Sequence, residues 1–156
     1  EPLIRLADVS VRFDQQRVLS HVSLDIFPHQ TVVLIGESGC GKSVTLKLVV
    51  GLLRPTEGEV FFEGKPLHRM TERELTAMRL RVGFLFQQAA LFDSLTVFDN
   101  VAFGPRAKGG FTEDAVAGRV RERLQEVGLP ATSETKMPAE LSGGMRKRVG
   151  LARALA

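Results

Sequence analysis

At 156 residues, 44% hydrophobic and 25% charged, the chain has an ordinary globular composition, which excludes a disordered tail, a collagen-like fibre and a highly charged linker. Twenty-one Lys and Arg against eighteen Asp and Glu leave +3, too thin a surplus to argue for nucleic acid. The single cysteine, Cys40, excludes a disulfide framework and a multi-cysteine metal site, and no apolar run approaches the ~20 residues of a membrane span. The first residues do not read as a signal peptide. A soluble protein in a reducing setting, or one that reaches a membrane through a partner, fits these features.

Residues 3–13 and 18–27 alternate apolar with polar side chains and read as strands, with Val22, Leu24 and Ile26 on one face. The run 31–35 is short and continuously apolar, the pattern of a strand buried on both faces of a parallel sheet. A Gly-rich loop, 36–41, leads into a helix over 42–53. A turn at 55–58 and a strand over 59–63 follow. Thr71 and Glu74 have capping-box spacing and open a helix to about Arg81, and 82–86 reads as a further strand. Residues 97–103 form a short helix ended by Gly104-Pro105. Thr112 caps a helix whose stripe is Val116, Val120, Leu124 and Val127 and which Gly128 and Pro130 terminate. A last helix begins near Gly144 and is still running at Ala156, so the chain reads as the front part of a larger domain.

Gly36-Glu37-Ser38-Gly39-Cys40-Gly41-Lys42-Ser43 fits G-x-x-x-x-G-K-[ST] at every fixed position. The expected strand before it and helix after it are the context that the chemistry needs. Small residues let backbone N–H groups close around phosphate oxygens, and the helix N-terminus adds its dipole. Lys42 supplies a mobile positive charge for the β- and γ-phosphates, and the Ser43 hydroxyl is a ligand for Mg2+. Cys40 reads as a space-filling residue of the loop or as a thiol near a helix N-terminus. The loop assigns a nucleoside triphosphate without choosing among the many classes that bind one.

The choice comes from Leu141-Ser142-Gly143-Gly144-Met145-Arg146-Lys147-Arg148, which resembles the LSGGQ signature of the ATP-binding cassette (ABC) family. Phe86-Gln87 resembles that family's glutamine loop. Phe13 stands where the family stacks an aromatic on adenine, and Val18 where a small apolar residue touches the ribose. The resemblance covers essentially the whole chain. It implies an α/β P-loop NTPase fold, an ABC nucleotide-binding domain incomplete at its C-terminus. That domain comprises an antiparallel β subdomain and P-loop, RecA-like core (1–86), the glutamine loop and helical subdomain (87–144) and the start of the signature helix (144–156). It implies ATP and Mg2+ as cofactors, with Gly36, Glu37, Ser38, Gly39, Cys40, Gly41, Lys42, Ser43 and Val44 around the phosphates. Gln87 and Ser43 are then the metal ligands, and Lys42 and Gln87 the catalytic side chains. Ser142, Gly143 and Gly144 would meet the γ-phosphate bound on an opposing subunit. The partners implied are a second ATPase subunit (a homodimer) and integral membrane permeases, at the cytoplasmic face of a bacterial inner membrane, with no nucleic acid and no direct membrane contact.

Each motif has a plainer reading beside this one. Ser142-Gly143-Gly144 can be a simple helix cap, Gln87 a surface residue at a strand end, Phe13 a core aromatic in a chain with ten Phe and no Trp or Tyr, and Arg146-Lys147-Arg148 a solvated helix face or part of an interface. Met145 replaces the family's usual Gln, and Val44 stands where many members have Thr. The family's Asp-Glu strand and switch His have no counterpart in residues 1–156. His21, His29 and His68 all precede the signature and read as surface residues. Residues 1–156 are accordingly expected to bind ATP without hydrolysing it at a useful rate.

The stretch 86–101 resembles the glutamine-loop region of ATPases of Mla-type systems, which move phospholipids between bacterial membranes. Leu91, Phe92, Leu95, Val97 and Phe98 can line a groove for a permease helix or fill the local core. Transport of an amino acid, a metal or a lipoprotein, and a soluble ABC protein without a permease, are the alternatives to lipid transport.

Overall fold

A computed structural model describes residues 1–156. Strands β1 (Ile4–Phe13), β2 (Gln16–Ile26), β3 (Glu57–Phe62) and β4 (Lys65–Pro66) form one antiparallel sheet in the order β2-β1-β3-β4. Alternation along β1 is not strict. Asp8 takes a left-handed φ of 50° and the register slips between Leu6 and Val9, so Val9, Ser10 and Val11 are buried in succession. Buried Ser10 is satisfied by accepting the backbone N–H of His21 at 3.1 Å.

Helix α1 (Lys42–Val49) and helix α2 (Glu72–Arg79) complete the first of two compact units, Glu1–Arg79. Its core gathers Leu6, Val9 and Val11 of β1, Leu48 of α1 and Leu75 and Met78 of α2. α1 stops short of Leu53 because Gly51 turns left-handed, φ 67°. Arg79 donates to the freed carbonyls of Val50 and Gly51, at 3.3 and 2.7 Å. The capping box of α2 is formed as the sequence predicts: Glu74 accepts the Thr71 N–H at 2.8 Å, and Thr71 Oγ1 accepts the Glu74 N–H at 3.3 Å.

The second unit, Leu80–Ala156, is built from α3 (Val97–Lys108), α4 (Glu113–Glu126) and α5 (Gly143–Leu155). Val97 and Val101 of α3, Val116, Val120 and Leu124 of α4, and Val149 and Ala152 of α5 are its fully enclosed centre. Thr112 caps α4 by accepting the Ala115 N–H at 3.2 Å, as its position predicts.

Three expectations are corrected. Residues 31–35 are not a strand: no strand of the sheet pairs with them, and Val33 and Ile35 are 72% and 91% exposed. An apolar run forms a buried strand only when a ladder on each side takes up its N–H and C=O groups. Residues 82–86 are not a strand either, and a different contact holds them. A Cβ on Gly83 would lie 2.1 Å from the carbonyl oxygen of Ala154, so this segment runs against α5 instead of pairing. Gly104-Pro105 does not end α3. Pro105 is enclosed within the helix, which continues to Lys108 and is capped by Gly109, whose N–H returns to the Pro105 carbonyl at 3.1 Å with φ at 73°. A proline inside a helix forfeits one bond, here the one to the Val101 carbonyl, and its burial offsets that loss.

Candidate nucleotide site

Two features shape the loop 36–41. Gly41 precedes α1 with φ 98°, and a Cβ there would stand 2.6 Å from Leu19 Cδ2 and 3.2 Å from the Val18 carbonyl oxygen. The loop is therefore seated directly on β2, and only glycine fits the seat. A Cβ on Gly36 would lie 2.5 Å from Cys40 Sγ, so the exposed thiol lies against the start of the loop. The Lys42 ammonium folds across the loop and donates to the carbonyls of Gly36 and Glu37, at 2.7 and 2.6 Å, with Cys40 Sγ at 3.6 Å. These contacts brace the loop and hold the ammonium against it.

Helix α1 begins at Lys42 with no side-chain cap and no acidic residue in its first turn. The amides of Lys42, Ser43 and Val44 are the orphan donors of that turn, since the first intrahelical bond here runs from Thr45 N to Gly41 O at 2.9 Å. Uncapped amides, a positive dipole end and a nearby cation are groups that can hold an anion. Ser43 is exposed; Val44 is half-buried and packs toward the unit's core. Thr45, one residue further on, is buried and donates its hydroxyl to Gly41 O at 3.1 Å.

Of the other predicted contacts in this unit, Val18 is half-buried beside Gly41. Phe13 ends β1 and is 46% exposed, which removes its reading as a core aromatic. His21, His29 and His68 are all exposed, as the sequence predicts. The donor set suits Mg2+. Hydroxyl, amide carbonyl and phosphate oxygens are hard ligands.

The second unit holds the other predicted residues. Ser142 is the N-cap of α5, its Oγ accepting the Met145 N–H at 3.2 Å, while Arg146 N bonds Ser142 O at 2.9 Å. Gly143 and Gly144 are exposed with their N–H groups unclaimed. In the basic cluster, Arg146 donates to Leu141 O at 2.9 Å and Arg148 to Gly128 O at 3.3 Å, so these two brace the helix rather than only face solvent. Gln87 and Gln88 are exposed at the centre of a turn closed by Ala89 N to Phe86 O at 2.9 Å. Leu91 and Val97 pack in the core, as their plainer reading holds, whereas Phe92 is 41% exposed.

Two residues were not singled out from the sequence. Asn100, fully enclosed on α3, accepts Phe92 N at 2.8 Å and donates to the carbonyls of Phe92, Leu95 and Thr96 at 3.0–3.1 Å, pinning the segment that follows Gln87. A polar residue beside Val97 and Val101 in an apolar stripe was its only signal. Arg153 donates to Ala89 O and Ala90 O; nothing in the sequence marks that contact.

The model of the ABC transporter family matches residues 19–156. The methionine import ATP-binding protein MetN of Carboxydothermus hydrogenoformans is 44% identical over 140 residues, 90% of this chain and 41% of its own length. The intermembrane phospholipid transport system ATP-binding protein MlaF of Haemophilus influenzae is 38% identical over 154 residues, 99% of this chain and 58% of its own. The chain thus spans about half the length of the curated relatives it matches. A dimeric ATP-binding cassette in a post-hydrolysis state, bound to ADP and Pi, superposes with TM-score 0.91 at 33% identity, covering 98% of this chain and 69% of that one.

Proposed function

Because this chain belongs to the ABC transporter family, we propose that it is the ATP-binding and ATP-hydrolysing part of a transport ATPase that powers phospholipid movement across a bacterial envelope. The observation that carries the reading is the pairing of two anion-binding helix N-termini on one chain. α1 carries Lys42, folded over an uncapped first turn; α5 offers Ser142 and the free amides of Gly143 and Gly144. Two copies arranged head to tail supply two complete sites, each with a phosphate loop from one subunit and a Ser142 turn from the other. The dimeric state of the superposed cassette supports this arrangement.

In this reading Lys42 meets the β- and γ-phosphates, the amides of α1 hold the remaining oxygens, and Phe13 and Val18 face the base and ribose. Ser43 and Gln87 would hold Mg2+, which when bound neutralises the charge that develops on the phosphates. Hydrolysis also needs a carboxylate to polarise water; the family's Asp-Glu strand, to which the resemblance assigns it, has no counterpart in residues 1–156, which by themselves bind ATP without turning it over at a useful rate. In the cell the protein sits at the cytoplasmic face of the inner membrane and reaches it through permease subunits.

The likeness to MlaF supports phospholipid as the cargo; the likeness to MetN favours an amino acid importer as the second reading. The ATPase reading is tested by light scattering of the intact, hydrolysis-deficient protein with ATP and Mg2+. Ser142→Arg is expected to keep monomer ATP binding and abolish ATP-driven dimerisation; a variant that dimerises normally overturns the shared site. Lipid co-purifying with the assembled complex supports the cargo, and a bound amino acid in its place overturns it.

A further inference from the structure

We propose that Arg153 is a positioning residue for Gln87: from α5 its guanidinium clamps the carbonyls of Ala89 and Ala90, and so fixes the turn on which Gln87 is carried. The inference rests on the reading of Gln87 as a metal ligand. The contact is bidentate, Nη2 to Ala89 O at 2.6 Å and Nη1 to Ala90 O at 2.9 Å, with the guanidinium carbon 5.5 Å from the centroid of the Phe92 ring. Arg153 is half-buried, and burial pulls its pKa below the ordinary guanidinium value, although a guanidinium stays protonated in proteins. No carboxylate pairs with it in any of the ion pairs of the unit. Its hydrogen bonds go to backbone carbonyls and its face lies over the Phe92 ring, and a charge-assisted bond to a carbonyl is stronger than a neutral one.

The clamped backbone does not hold this shape by itself. Ala89 and Ala90 are consecutive left-handed residues, φ 63° and 46°, a conformation that alanine adopts reluctantly and that persists only where surroundings over-determine it. Three restraints meet there: the Arg153 fork, the turn bond from Ala89 N to Phe86 O, and the close approach of α5 at Gly150, where a Cβ would stand 2.8 Å from Ala89 Cβ and 3.1 Å from Leu85 Cδ1. Gln87 and Gln88 form the centre of this turn, so loosening the fork releases the direction in which Gln87 presents its amide. Only the fork is carried by a side chain that can be changed without filling space.

The test uses the intact protein loaded with a non-hydrolysable ATP analogue and reads Mn2+ binding by electron paramagnetic resonance, together with amide hydrogen exchange over 86–92. Arg153→Met keeps the apolar stem and removes the fork. It is expected to weaken Mn2+ binding about tenfold, the range for losing a group that orients a metal ligand, and to speed exchange at Ala89. Affinity for the analogue without metal should stay within about twofold, because Arg153 bonds Ala89 and Ala90 and no residue of the phosphate loop. Arg153→Lys should recover part of the loss. In a Gln87→Ala background, Arg153→Met should add no further loss of Mn2+ affinity. Wild-type Mn2+ affinity in Arg153→Met, or an equal loss added to that of Gln87→Ala, overturns the proposal. If Gln87→Ala alone leaves Mn2+ binding unchanged, the metal reading of Gln87 fails and the proposal with it, an outcome seen apart from the first. Should Arg153→Met not fold, Gly150→Ala presses on Ala89 from the same helix and is expected to change Mn2+ binding in the same direction; no change there overturns the proposal equally.

Discussion

Gly41→Ala perturbs the seat of the phosphate loop, and Gly39→Ala is its internal control. Both glycines are left-handed, φ 98° and 85°, but a Cβ on Gly39 meets nothing within 4 Å, whereas one on Gly41 meets Leu19 Cδ2 at 2.6 Å and Val18 O at 3.2 Å. The backbone cost is shared, about 1–2 kcal/mol for a residue with a Cβ. The steric cost falls on Gly41 alone. Leu19 is 8% exposed and part of the sheet core, and overpacking of a core side chain costs about 1–3 kcal/mol. Gly41→Ala should therefore cost roughly 2–5 kcal/mol, and Gly39→Ala roughly 1–2. If the loop relaxes to relieve the strain, the difference appears in ATP binding at about 1.4 kcal/mol per tenfold. Titration calorimetry with ATP should show Gly41→Ala weakened by about thirtyfold to several thousandfold and Gly39→Ala by about five- to thirtyfold. Equal losses in the two variants would refute the seating of the loop on β2.

Asn100→Leu leaves the Phe92 amide and three carbonyls without their side-chain partner; unfolding of the second unit should lose about 2–4 kcal/mol in denaturant titrations. Glu74 has its pKa lowered to about 2, first by the Lys65 ammonium and then by the Thr71 amide and hydroxyl. A carboxylate with a depressed folded pKa contributes stability above its unfolded pKa and loses it as pH falls. Protection of the first turn of α2 should therefore decline between about pH 4.5 and about pH 2, followed by amide exchange, and Glu74→Gln should remove that pH dependence.

What the sequence made legible was local. The G-x-x-x-x-G-K-S spacing, the Thr71–Glu74 box, and the caps at Thr112 and Ser142 each depend on residues within one turn of one another, and each takes the geometry its residue types require. The misread elements depend on distant partners. Residues 31–35 have the composition of a buried strand, but a strand exists only with a ladder beside it. Residues 82–86 pack on α5 instead, because Gly83 and Gly150 allow the backbone to approach closely. Pro105 reads as a stop signal locally and is overridden by burial. The Arg153 fork on Ala89 and Ala90 had no signal at all, since alanine does not announce a left-handed backbone.

The central claim, that this loop binds the phosphates of ATP through Lys42, is tested most directly by calorimetry of ATP binding to the intact Lys42→Ala protein. The substitution removes the ammonium and the two bonds that brace Gly36 and Glu37. Loss of such a charge-assisted contact costs about 1.5–3 kcal/mol, so affinity should fall about ten- to hundredfold while the fold is retained. An ATP affinity in Lys42→Ala equal to that of the parent protein would contradict the account.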